Sequence, residues 1–226
     1  MSVMMPLGEN MKKPSVIVFD LDNTLIDRQR AFTEMLKERI AATLPEQKKE
    51  LKDEAIKDIL MWDDNGTVSR SISFKKYCEK YEVTCMSSEE LSNYWTTISG
   101  SVVYLFDDVK ETLLYLKGKY HMAILTNGSP ISQRRKLEST GILDLFELSV
   151  VSGEVGIDKP DSRIFNYMCE KLNSKPEECL YVGDNYVNDV LGARNAGWNA
   201  IYLNRLHLAS DETQTIASLN ELKELL

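Results

Sequence analysis

The chain has 226 residues, 43% of them hydrophobic, and sets 35 acidic against 27 basic residues for a net charge of -8. That length holds one large α/β domain, or a core domain with a smaller insertion, and excludes a stapled mini-protein. The negative balance gives no bulk attraction for nucleic-acid polymers or anionic membranes, and Cys78, Cys85, Cys169 and Cys179 show neither a CxxC pair nor metal-type spacing, which points to reduced thiols.

Residues 1–14, MSVMMPLGENMKKP, are Met-rich and aperiodic, and are expected to form a flexible leader. VIVF at 16–19 reads as the first strand, followed by MAIL at 122–125, LSVV at 148–151, LYV at 180–182 and AIYL at 200–203. Each is short and largely apolar, as strands covered on both faces of a parallel sheet are. No run approaches the ~20 apolar residues of a membrane span, so a cytoplasmic location without membrane contact is expected.

Residues 27–105 lack a convincing strand and carry the amphipathic patterns FTEMLKERIAATL, KDEAIKDILMW, SFKKYCEKY and SEELSNYWTTI, with DDNG at 63–66 as a turn. They predict a helical insertion within a core made of residues 15–26 and 106–226, and a helix at 107–119 leads the chain back. In SPISQRRKLESTG, Ser129 suits an N-cap, Pro130 the first helical position and Gly141 the stop. PDSRIFNYMCEKL and YVNDVLGARNAGW follow the same plan, the second closing at Gly197, and the tail sets Ile216, Leu219, Leu222 and Leu226 at helical spacing. Alternating strands and helices predict a doubly wound, Rossmann-like parallel sheet carrying an all-helical inserted domain.

Ligands of such sheets bind beyond the carboxyl ends of the strands, and the residues there form a set. The first strand runs into DLDNT, the second into TNGS, the third is followed by GEVGIDKPD and the fourth by GDNYVND. Period-two alternation tends to place Asp20 and Asp22 on one side of the chain, where the two carboxylates suit a metal site, a catalytic dyad or a turn. Taken singly, TNG is also a common turn, KP an extended surface pair, and GDN a glycine turn with a helix cap. All four in order, at the ends of four successive strands, change that weighing.

With these motifs the chain resembles the haloacid dehalogenase-like hydrolases, in the phosphatase-rich subfamily with a helical cap after the first strand. The resemblance spans residues 15–205 and implies a magnesium-dependent phosphomonoesterase. It makes Asp20 the nucleophile that forms an aspartyl-phosphate and Asp22 the general acid/base. It places Thr126, Asn127 and Lys159 on the phosphate, the helix start near Pro130 beside them, and Mg2+ on Asp20, the Asp22 backbone carbonyl and Asp184, with Asp189 close by. A hard dication between two such acids accounts for their proximity.

Members that cleave carbon–halogen bonds, or phosphonates with a cap lysine, lack an aspartate at the position of Asp22. A phosphomutase or a non-catalytic binding protein on the same fold stays as an alternative. The stretch from Ala123 to Phe165 is most similar to the branch of pyrimidine nucleoside 5'-monophosphate phosphatases, so the expected partner is a small phosphomonoester, most closely a nucleotide; a sugar phosphate or phosphoglycolate is the alternative. Oligomeric state, monomer or dimer, is not legible. In the insertion Trp62, Arg70, Lys75, Lys76, Trp95 and Tyr104 are candidate substrate contacts or, alternatively, core aromatics and solvated charges. His121 and His207 have no partner pattern and read as structural or surface residues.

Overall fold

The computed structural model describes residues 13–210, 212 and 214–226. Of the leader expected over 1–14, residues 1–12 lie outside the described residues. The chain divides into two compact units, Asp27–Tyr104 and the remainder, which comprises the residues up to Ile26 together with Leu105–Leu226.

The Asp27–Tyr104 unit consists of α1 (Arg28–Thr43), α2 (Lys52–Asp63), α3 (Arg70–Tyr81) and α4 (Ser88–Ile98), joined by short turns. Their apolar faces meet in a core that includes Phe32, Leu36, Ile40, Ile59, Phe74, Tyr77 and Trp95. Trp95 stacks on Phe74 at 5.6 Å and meets Phe32 edge-on at 5.5 Å. It is a core aromatic, as ring burial of this extent favours, and it is removed from the substrate-contact candidates. Arg30 lies 3.9 Å over the Tyr104 ring, and Lys75 is an exposed residue facing Glu79. The expected turn at 63–66 forms with Asp64 and Asn65 in the left-handed region. Asp63 itself ends α2 and accepts two hydrogen bonds from the buried Arg28 guanidinium, at 2.7 and 2.9 Å.

The other unit carries a six-stranded sheet of β1 (Val16–Phe19), β2 (His121–Thr126), β3 (Leu148–Val151), β4 (Cys179–Gly183), β5 (Asn199–Leu203) and β6 (Thr215–Ile216). The order is β3-β2-β1-β4-β5-β6, and every neighbouring pair is parallel. Around it lie α5 (Val109–Leu116), α6 (Pro130–Thr140), α7 (Ser152–Val155), α8 (Ser162–Leu172), α9 (Gly192–Asn195) and α10 (Leu222–Leu225). Val16 and Val18 of β1 pack with Leu125, Phe165, Tyr181 and Trp198 in one core cluster, and all four β1 residues are buried. The strands therefore read as continuous apolar runs because both sheet faces are covered. The chain leaves β1 toward β2 and β3, then returns to the other side of β1 as β4. That reversal is the topological switch point, the place where sheets of this kind bind ligands beyond the strand ends.

α6 begins and ends where the cap residues indicate: the Ser129 side chain accepts from the Ser132 amide, Pro130 occupies the first turn, and Gly141 stops the helix at φ 66. Two expectations need correction. YVNDVLGARNAGW is a π-helical turn, Tyr186–Leu191, followed by α9, rather than one α-helix. The helical spacing of Ile216 to Leu226 is also misleading, since Ile216 belongs to β6 beside Leu203 and only the residues from Leu219 turn helically. Its neighbours explain this: Asn204 donates its amide to the Ile216 carbonyl, and Asp108 takes the Ser218 hydroxyl and the Leu219 amide, which breaks the run between the two.

Candidate active site

Asp20 is the first residue beyond β1, and its amide still donates to the Val182 carbonyl of β4 at 2.9 Å. Sheet pairing therefore fixes its backbone at the switch point. Asp184 directly follows β4, and Asp189 returns from the π-helical turn. One carboxylate oxygen from each of Asp20, Asp184 and Asp189 lies within 4.8 Å of the others. Close approach requires glycine at 183, because a Cβ there would lie 2.3 Å from the Asp189 Oδ2 atom. The Asn185 amide donates to that same oxygen at 2.9 Å.

Lys159, from the loop before α8, brings a buried ammonium into this group. It donates to Asp20 Oδ1 at 2.7 Å, to Asp189 Oδ1 at 2.6 Å and to the Tyr181 hydroxyl at 2.6 Å. The Tyr181 hydroxyl in turn donates to the Leu125 carbonyl at 2.6 Å, so the ammonium meets three acceptors fixed just after β1, on β4 and on the π-helical turn. Burial would lower the Lys159 pKa, yet the Asp189 and Asp20 carboxylates outweigh it and hold the ammonium charged well above the usual lysine range.

One cation among three clustered acids, Asp20 and Asp189 buried and Asp184 partly so, leaves an electrostatic deficit. Burial pushes the Asp20 carboxyl up to about 7 against the downward pull of Lys159, with Asp189 adding to the rise. Burial, then the charges of Asp20 and Asp189, also raise Asp184 well above the carboxylate range. Such a donor set, all hard oxygens with too little positive charge, fits a hard divalent cation.

Asp22 takes different partners. The strand ends at Phe19, so strict alternation does not extend through positions 20 to 22, and Asn23 follows at φ 56. The Asp22 carboxylate meets the Lys136 ammonium of α6 at 2.8 and 2.5 Å, and the Gln133 side-chain amide donates to it at 3.1 Å. Gln133 also donates to the buried Thr126 hydroxyl at 2.7 Å and to the Asn127 carbonyl at 3.1 Å. Asn127 is paired with the Lys159 backbone in both directions, accepting from its amide and donating to its carbonyl, each at 2.9 Å. Its side chain thus holds the lysine loop.

The residues expected at the site, Asp20, Asp22, Thr126, Asn127, Lys159, Asp184 and Asp189, all belong to this edge of the sheet unit. Gln133, Lys136 and Tyr181 were not expected there. In SPISQRRKLESTG the sequence marks only the helix start and stop, and the signal of Gln133 and Lys136 is visible only once Ser132, Gln133, Lys136 and Leu137 are seen to be the buried side of α6. Tyr181 is hidden in a strand pattern. His121 is exposed, 2.7 Å from Glu147, and His207 is exposed, away from these contacts.

Known proteins place this edge in context. Residues 14–197 match the family described as haloacid dehalogenase-like hydrolase. The chain is 40% identical over 116 residues to pyrimidine 5'-nucleotidase YjjG of Escherichia coli (strain K12), a match covering 49% of the chain and 52% of that relative. It is 29% identical to glyceraldehyde 3-phosphate phosphatase of Methanothermobacter thermautotrophicus, covering 93% of the chain and 98% of that enzyme. Among solved structures, the HAD-hydrolase YfnB from Bacillus subtilis bound to magnesium superposes with a TM-score of 0.78 at 23% identity, covering 95% of this chain and 99% of that one, which establishes a common fold. The chain belongs to the haloacid dehalogenase-like hydrolase family, as an enzyme of its phosphatase type.

Proposed function

We propose that the protein is a magnesium-dependent phosphomonoesterase that works through an aspartyl-phosphate on Asp20 and prefers a nucleoside 5'-monophosphate. The observation that carries this reading is the placement of Asp20 at the switch point, 2.7 Å from a buried lysine and within a cluster of three carboxylates. Asp20 attacks phosphorus; the departing alkoxide takes a proton from the Asp22 carboxyl. Asp22 then removes a proton from water, which hydrolyses the acyl phosphate and restores Asp20. Lys159 offsets the charge of the nucleophile and the phosphoryl oxygens, and the Thr126 hydroxyl hydrogen-bonds one of those oxygens. Asn127 contributes to phosphate binding by holding the Lys159 loop.

Asp20 and Asp184, with the Asp22 backbone carbonyl, would hold Mg2+, and Asp189 would support them while its oxygens accept from Lys159 and the Asn185 amide. When bound, the ion supplies the positive charge that one lysine does not and shields the phosphoryl oxygens from the attacking carboxylate. The Asp27–Tyr104 unit is read as the cap that selects the substrate.

Nucleotide preference rests on the similarity to the pyrimidine nucleotidase, which covers half of each chain. A triose or sugar phosphate is the second reading, favoured by a match to glyceraldehyde 3-phosphate phosphatase over nearly the whole of both chains. Phosphate release from nucleotides, triose and sugar phosphates and phosphoglycolate, each with magnesium and with chelator, separates the two. Preference for pyrimidine monophosphates that chelator abolishes is the expected result, and no magnesium-dependent release from any ester overturns the reading.

A further inference from the structure

We propose that Lys136, assisted by Gln133, is a positioning residue that fixes the Asp22 carboxylate for proton transfer; this rests on the phosphomonoesterase reading above. The buried side of α6 is made of Ser132, Gln133, Lys136 and Leu137. A helix face turned inward is ordinarily apolar, and an ammonium placed there loses its hydration unless an anion meets it. Lys136 is 7% exposed, and Asp22 is that anion. A helix that needed only to be anchored is served as well by leucine or methionine at 136, which carry no desolvation cost.

The geometry ties the contact to catalysis. Gln133 and Lys136 are one turn apart on the same face, so both reach one carboxylate. The ammonium touches both Asp22 oxygens, at 2.8 and 2.5 Å, while Gln133 holds Oδ2 at 3.1 Å. These donors restrict rotation of a side chain that follows the end of a strand and is itself partly exposed. The same Gln133 nitrogen is 2.7 Å from the Thr126 hydroxyl, so the proton-transfer group and the phosphate-binding hydroxyl are kept at a fixed spacing. Two lysines divide the acids of this edge: Lys159 serves Asp20 and Asp189, and Lys136 serves Asp22. Alignment of this kind is worth most in the step where a proton must reach the leaving oxygen: there the Asp22 carboxyl carries that proton on one oxygen while the other keeps accepting from Lys136 and Gln133, and small displacements of a catalytic group cost large factors in rate.

K136M keeps the side-chain stem and deletes the ammonium. Its kcat and KM are compared with wild type, D22N and the double variant on uridine 5'-monophosphate, whose alkoxide needs a proton. The first-turnover burst on p-nitrophenyl phosphate, whose nitrophenolate leaves without one, is the second readout. We expect kcat on the nucleotide to fall by ~100-fold with KM within about threefold, the nitrophenolate burst to fall by less than about fivefold, and K136M to add less than about threefold in the D22N background. Equal losses on both substrates, multiplicative losses in the double variant, or an unchanged kcat on the nucleotide overturn the positioning role. Should thermal melting show K136M unfolded, Gln133→Met decides by the same leaving-group contrast. A wild-type protein that releases phosphate from neither ester overturns the phosphatase reading itself, whereas an active wild type with an indiscriminate K136M loss overturns the role of Lys136 alone.

Discussion

Asp20 shows how much one position depends on its neighbours. Its carboxyl is pushed up to about 7 by burial although Lys159 lies 2.7 Å away, so burial outweighs the ion pair at this position. Additional positive charge beside it shifts that balance toward the attacking carboxylate. Asp20→Asn keeps the shape and one oxygen that accepts from Lys159 but removes the nucleophile. We expect magnesium-dependent phosphate release to fall by on the order of 10⁴-fold or more with an unchanged circular dichroism spectrum. Retention of wild-type turnover would falsify the covalent route. Gly183 matters for a different reason: no other residue leaves room for Asp189 to approach the end of β4.

At the scale of elements, short polar ties place the pieces around the sheet. Asp108, just before α5, accepts from the Arg205 guanidinium at two positions of 2.9 Å, from the Ser218 hydroxyl at 2.6 Å and from the Leu219 amide at 2.8 Å. It thereby joins α5, the segment after β5 and the turn that follows β6. Burial alone would raise its carboxyl, but these donors outweigh it and hold the group below the ordinary 3.8. A depressed folded-state pKa means that the unfolded chain binds more protons in this range, so the stabilisation is complete above about 4 and is lost as pH falls through the folded value. Asp108→Asn should cost about 1.5–3 kcal/mol at neutral pH, since hydrogen bonds to a charged group are worth that much. The gap between variant and wild type should then narrow below pH 4 in denaturant titrations. A gap independent of pH would show that the carboxylate charge contributes nothing.

For the whole molecule, each of the two units has a buried apolar cluster of its own among the described residues, one against the sheet and one among α1 to α4. The helical unit has its own polar tie in Arg28 and Asp63, whose rupture by removing one partner costs about 3–5 kcal/mol in buried pairs. Every proposed magnesium ligand belongs to the sheet unit. Magnesium should therefore stabilise the unfolding transition of that unit, by about 2.7 kcal/mol at a concentration 100 times its dissociation constant. Chelator should reverse the shift, and Asp184→Asn should abolish it. Calorimetry that shows the same magnesium shift in Asp184→Asn as in wild type would remove Asp184 from the ligand set. No helix among the described residues is long and apolar enough to cross a membrane.

By itself the sequence determined the doubly wound sheet, because short strands buried on both faces leave unbroken apolar runs at 16–19, 122–125, 148–151, 180–182 and 200–203. It also determined the start and stop of α6, because Ser129, Pro130 and Gly141 act through local backbone chemistry alone. The motif residues at the strand ends were legible for the same reason: strand termini follow from local pattern, and the chemistry of such sheets gathers there. Only the tertiary structure decided the partners of each acid. Lys136 and Lys159 are separated from Asp22 and Asp20 by 114 and 139 residues, and no local periodicity encodes which cation meets which carboxylate. It also decided that β6 replaces the expected helical run at Ile216, because a two-residue strand carries too little pattern of its own and exists through its pairing with β5. Buried polar groups are chosen by what faces them across the fold, and that is set by packing between distant segments rather than by the spacing within one.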